Sequence, residues 1–132
     1  MIVDSSAILA VVFEESDHQP YLETMLAAQV LTMSAATLFE CRLVALRKAG
    51  EAQENRLLAF LAWLKIRIAN FDEPQAALAA DAFRRYGKGR DKAALNFGDC
   101  FSYALAKSRS EPLLYKGDDF AKTDIRSALQ PT

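Results

Sequence analysis

Four short apolar runs punctuate this chain, and between them apolar residues recur every three or four positions, the spacing of helices that bury one face. The first run, MIV, ends at Asp4, and Ser5 or Ser6 is placed to cap the helix that AILAVVF begins. After the polar turn EESDHQ, the residues Tyr21, Leu22, Met25 and Leu26 share a helical face, which predicts a second helix from Pro20 to Ala28 with its proline near the first turn. QVLTMS is the second strand. Ser34 then caps SAATLFECRLVALRKAG, a helix that Gly50 stops, and a further helix from about Ala52 to Lys65 carries Leu57, Leu58, Leu61 and Leu64. IRIANF is the third strand, and Asp72 and Pro74 start the helix EPQAALAADAFRRYG, which Gly87 ends. The loop KGRDKAALNFG leads into a helix at Asp99, and PLLYKG, after the Glu111-Pro112 break, is the fourth strand.

Strands that alternate with helices predict an α/β fold with a mostly parallel central sheet flanked by helices, because parallel neighbours need crossover connections. No repeat or linker divides the chain, so residues 1–132 are expected to form a single domain. Open parallel sheets place their sites beyond the carboxyl ends of the strands. Residues just after strands, or early in the helices that follow, should therefore converge.

Composition narrows the chemistry. The net charge is −1 over 132 residues, so nucleic acid would have to be held by a local patch rather than by bulk charge. The apolar run from Ala7 to Phe13 is too short to span a bilayer and follows Asp4 rather than a basic segment, which predicts a cytoplasmic protein with no membrane partner. Cys41 and Cys100 have no second cysteine or histidine at metal-ligand spacing, so they read as buried small hydrophobes rather than a zinc site or a disulfide. The one histidine, His18, reads as a surface residue.

Carboxylates are what the strand-end rule collects. Asp4 ends the first strand, Glu40 lies in the second turn after the second, Asp99 opens a late helix, and Asp118 or Asp119 follows the last strand. Each alone reads as an acid near a helix N-terminus. Together, within about 4–6 Å of one another, they would raise each other's pKa and call for protons or a cation. Oxygen donors without His or Cys suit Mg²⁺ or Mn²⁺, and such an ion suits phosphodiester hydrolysis. No nucleophile elbow, P-loop or G-x-G-x-x-G is present.

The stretches MIVDSSAILA, SAATLFECRLV, YGKGRDKAALNFGDCFSYALA and EPLLYKGDDFAKTDI together resemble the PIN domain of VapC-type toxins from bacterial toxin–antitoxin pairs, over nearly the whole chain. The resemblance implies a PIN-like fold, a metal-dependent endoribonuclease acting on RNA, a VapB-type antitoxin as partner and a homodimer. It places the family's acidic positions on Asp4, Glu40, Asp99 and, in GDDF, Asp118, with Asp119 as a water-positioning alternative. Asp4 and Asp99 are then the direct ligands, and Glu40 and Asp118 hold a second ion or the waters around it. Ser5 stands where the family often has threonine and keeps the hydroxyl.

Lys88, Arg90 and Lys92 in the loop before Asp99, with Lys116, form a candidate phosphate-binding rim. Tyr86, Phe97 and Tyr103 are candidates for stacking on a base, although Phe97 reads first as a core residue. Leu22, Met25, Leu26, Leu57, Leu61 and Trp63 exceed what one small core needs, so part of that set is expected at an interface. Two rival functions remain. A receiver-like phosphoryl-transfer domain would use Asp72 at the end of a central strand and Lys116, and a non-enzymatic partner-binding module would use its carboxylates only as helix caps.

Overall fold

The protein is described by a computed structural model over residues 1–129. Strands β1 (Ile2–Val3), β2 (Thr32–Ser34), β3 (Arg67–Ala69) and β4 (Leu113–Leu114) form one sheet in the order β3-β2-β1-β4, and every pairing is parallel. Helices α1 (Ser5–Val12), α2 (Gln19–Ala27) and α3 (Ala35–Trp63) connect the first three strands, and α4 (Glu73–Tyr86) and α5 (Phe97–Arg109) the last two. A short 3₁₀ turn, Phe120–Lys122, follows β4. The two helices expected between residues 34 and 65 form one run broken at Ala49 and Gly50, where Gly50 takes φ 72°, a conformation open to glycine at little cost.

Neighbouring residues of the central strands point to opposite faces. Val3 and Leu114 join Ile8, Met33 and Leu57 in a core under α1, α2 and α3, whereas Ile2 and Leu113 join Leu95, Tyr103 and Leu105 in a second core under α4 and α5. This is why the inner strands read as unbroken apolar runs. Cys41 lies in the first core and Cys100 in the second, both as free thiols, so the sheet separates them.

Several boundaries differ from expectation for local reasons. The cap of α1 is Asp4 itself, whose carboxylate accepts the Ser6 N–H, rather than Ser5 or Ser6. Helix α5 starts two residues before Asp99, because Asn96 caps it by accepting the Asp99 N–H. Asp72 caps α4 by accepting the Gln75 N–H, and β3, which precedes it, is an edge strand, so the receiver-like reading loses its central-strand aspartate. Met25, Leu57 and Leu61 are core residues, which leaves only Leu26 and Trp63, 57% and 63% exposed, as apolar surface from the expected interface set, beside half-buried Leu22. Among the described residues no helix is long and apolar enough to cross a membrane.

Candidate active site

An all-parallel sheet puts every strand's carboxyl end at one edge, and the acidic residues gather there. Asp4 leaves β1 with its N–H on the Leu114 carbonyl of β4 at 2.9 Å, so its position is set by the ladder. It is 2% exposed, and both carboxylate oxygens are engaged. Oδ2 accepts from the Ser6 N–H at 3.0 Å and the Ser6 hydroxyl at 2.6 Å, and Oδ1 accepts from the Ser102 hydroxyl of α5 at 2.6 Å. Ser6 reads from the sequence as a helix cap, and no local pattern marks Ser102, or Thr37 beside it, as standing at Asp4.

Asp99 is held in a capping box: its Oδ2 accepts the Asn96 N–H at 3.0 Å while Asn96 accepts its own N–H at 2.9 Å. Asp99 therefore caps its helix with one oxygen whatever else the carboxylate holds. The N-x-x-D spacing carried that signal. Burial, and after it the charges of Asp4, Asp119 and Glu40, push the Asp99 carboxyl up to about 7, against the Asn96 N–H that favours the charged form. Burial also raises Glu40, eased by the Ser5 hydroxyl and then raised again by Asp4.

Glu40 and the start of α5 are in intimate contact. A Cβ on Gly98 would stand 1.9 Å from Glu40 Oε2, so glycine is what lets the Glu40 carboxylate lie where it does against α5. Because the clash is with the mobile end of a side chain, Gly98→Ala should swing the Glu40 carboxylate aside and leave the fold intact. The expected result is a loss of RNA cleavage of about tenfold or more with a melting temperature close to wild type; full activity in the alanine variant would show that Glu40 is not needed where it stands.

Of the two aspartates after β4, both exposed, Asp119 is the one whose charge acts on Asp99. Among the described residues no group of three or more His, Cys, Asp or Glu side chains is gathered closely enough to hold an ion as it stands. What the structure brings within electrostatic reach of Asp99 is Asp4, Asp119 and Glu40, and oxygen donors of this kind fit a hard divalent cation.

The expected basic rim divides. Lys88, Arg90 and Lys92 are exposed on the loop before Asn96, but Lys116 turns away to pair with Glu15 and, at 2.8 Å, with Asp17. Those two carboxylates hold its ammonium charged. Tyr103 is 1% exposed and donates its hydroxyl to Asp124 at 2.6 Å, so it does not stack on a base. Phe97, expected in the core, is 79% exposed and packs edge-on against Phe101. Together with Phe71 and Phe83 it lines an apolar groove on α4 and α5, one residue from Gly98. His18 precedes α2 with its ring Nδ1 on the Glu15 carbonyl, away from the carboxylates' hydrogen bonds.

Comparison with known proteins agrees with this architecture. The PIN domain model matches residues 1–126. Ribonuclease VapC30 of Mycobacterium tuberculosis is 39% identical over 131 residues, covering 99% of this chain and all of that protein. Among solved structures, Mycobacterium tuberculosis VapC20, described as a Sarcin-Ricin loop cleaving toxin, matches with TM-score 0.80 at 17% identity over 98% of each chain. VapBC-5 of the same organism, described as a member of the VapBC family of toxin-antitoxin systems, matches with TM-score 0.65 at 22% identity over 98% of this chain and 94% of that one. At such identities the structural likeness speaks for the fold.

Proposed function

We propose, since this chain belongs to the PIN-domain family and is a ribonuclease of the VapC type, that it hydrolyses RNA phosphodiester bonds with Mg²⁺ or Mn²⁺ held at the carboxylate edge. The observation that carries the metal is Asp99, whose carboxyl is pushed up to about 7 by burial and by three neighbouring carboxylates. A divalent cation among these oxygens would relieve that repulsion. Bound there, the ion supplies polarisation of the phosphodiester and activation of water.

The chain's residues do the rest. Asp4 and Asp99 serve as direct ligands and Glu40 assists from α3. Asp119 is favoured over Asp118 as the fourth acid, because Asp119 is the one that acts on Asp99. Lys88, Arg90 and Lys92 bind backbone phosphates on the side of the loop that leads into Asp99.

As the toxin of a toxin–antitoxin pair, it acts in the cytoplasm and is neutralised by a protein antitoxin of the VapB type, a reading supported by its likeness to VapBC-5, a member of the VapBC family of toxin-antitoxin systems. A second copy is proposed on the Phe83, Phe97 and Phe101 face, since exposed aromatic surface of this kind is what a dimer covers. Light scattering should give twice the chain mass for wild type and a single chain for Phe97→Glu. A monomeric wild type at micromolar concentration would remove the dimer.

The test of activity is direct. Purified protein incubated with mixed cellular RNA and Mn²⁺ should yield discrete fragments, and excess chelator should abolish them. Cleavage that survives chelation would rule out the metal.

A further inference from the structure

The carboxylate of Asp4 is reached by two short chains of hydrogen bonds that arrive from different elements, one at each oxygen. At Oδ2 the donor is the Ser6 hydroxyl, and Ser6 Oγ itself accepts the Lys116 N–H at 2.9 Å. At Oδ1 the donor is the Ser102 hydroxyl, and Ser102 Oγ lies 3.3 Å from Thr37 Oγ1. A hydroxyl has one proton, and that of Ser102 goes to the carboxylate, so Thr37 donates to Ser102. Thr37 and Ser102 are 0% and 1% exposed. Buried hydroxyls with their bonds made fix orientation, and a donor that is itself hydrogen-bonded is polarised and donates more strongly.

The placement follows helical periodicity. Thr37 lies one turn before Glu40 on α3, and Ser102 lies one turn after Asp99 on α5, so each hydroxyl shares a helix face with one of the acids. Thr37 meets Ser102 and Ser102 meets Asp4, so the two hydroxyls tie the three acid-bearing elements to one another.

The two oxygens of Asp4 are not equivalent. A carboxylate offers about four acceptor positions, two on each oxygen. Oδ2 receives both the Ser6 N–H and the Ser6 hydroxyl, while Oδ1 receives Ser102 alone. Oδ1 is therefore the oxygen with an acceptor position to spare.

We infer that Ser102, backed by Thr37, is a positioning residue that orients Oδ1 of Asp4 as the cation-binding oxygen, and that it sets divalent-ion affinity without touching ion or RNA. This rests on the reading of the edge as a divalent-metal site. It extends to a hydroxyl the role that carboxylates and carbonyls play behind metal-binding histidines.

The test is calorimetric titration of the protein with Mn²⁺ in the absence of RNA, with the melting temperature of the metal-free protein recorded for each variant. Ser102→Ala should weaken Mn²⁺ binding by about ten- to a hundredfold, the usual cost of removing such a partner. Thr37→Val, which keeps the shape and removes only the second hydroxyl, should weaken it by a smaller factor in the same direction, and Ser102→Thr should restore binding to within a few-fold of wild type. Wild-type Mn²⁺ affinity in both Ser102→Ala and Thr37→Val, whatever happens to their melting temperatures, would reduce the pair to core packing and overturn the inference while leaving the metal site standing. A wild-type protein that takes up no Mn²⁺ would overturn both.

Discussion

Asp99→Asn leaves RNA intact and, at pH 8 without divalent ions, melts higher than wild type. The two halves of this result have one cause. In the metal-free protein Asp99 is an acid whose ionised form is penalised, first by burial and then by Asp4, Asp119 and Glu40, so that its pKa stands at about 7 rather than 3.8. Three units would correspond to about 4 kcal/mol, and because the side chain is only half-buried, solvent screening reduces the stability at stake to about 1–2 kcal/mol. Asparagine removes the charge and keeps an oxygen for the Asn96 N–H, so the capping box that starts α5 survives. That gain is a few degrees of melting temperature for a chain of this size. Cleavage should fall at least about a hundredfold, the scale on which removing one charge-stabilising group damages catalysis. RNA digestion and thermal melts at pH 8 on the same preparation measure both. An Asp99→Asn protein that is unfolded, or one that cuts RNA at the wild-type rate, would contradict the assignment.

The order of elements, and with it the meeting of the acids, was legible because it follows from topology. Once IVD, LTMS, RIA and PLL are parallel strands, their carboxyl ends share an edge, and Asp4, Glu40 and Asp99 must approach it. What was not legible depended on pairings between distant segments. Lys116 looked like a rim cation beside Asp118, yet its partners Glu15 and Asp17 lie about a hundred residues earlier, and no local pattern announces them. Apolarity likewise predicts a face but not what covers it. Phe97 and Phe101 share a helix face with the spacing of a core stripe, and only the arrangement of α4 and α5 shows that Phe97 stands in the open. Ser102 was visible on the Asp99 face of its helix, but its bond to Asp4 spans 98 residues. The capping box is a different case. Asn96-x-x-Asp99 is a readable local motif, and it shows that one carboxylate can cap a helix and still face the sheet edge.

Without divalent ions, the protein should lose stability as the pH rises from about 4 to about 7, the opposite of the usual behaviour of a carboxylate held by a cation. Across that window the folded protein keeps a proton on Asp99 that the unfolded chain has already released, so each step up in pH favours unfolding, and the trend levels off above 7 once both states are ionised. Glu40, also raised by burial, acts in the same direction. Asp17 beside Lys116, and Asp124 beside Lys107 and Tyr103, are lowered and act the other way, but their stabilisation is in place once the unfolded aspartates have ionised near pH 4 and is lost only on further acidification. Divalent ions should reverse the slope. Mn²⁺ binds the ionised carboxylates of the folded state, so its stabilisation grows as Asp99 deprotonates, reaching about 2.7 kcal/mol when the free ion is a hundred times its dissociation constant. Melting curves at pH 5, 6, 7 and 8, with chelator or with millimolar Mn²⁺, should therefore diverge upward in pH: nearly coincident at pH 5 and farthest apart at pH 8. Curves that stay parallel across the series, with stability rising to pH 8 in chelator, would mean that the charges at the sheet edge do not repel one another enough to need an ion.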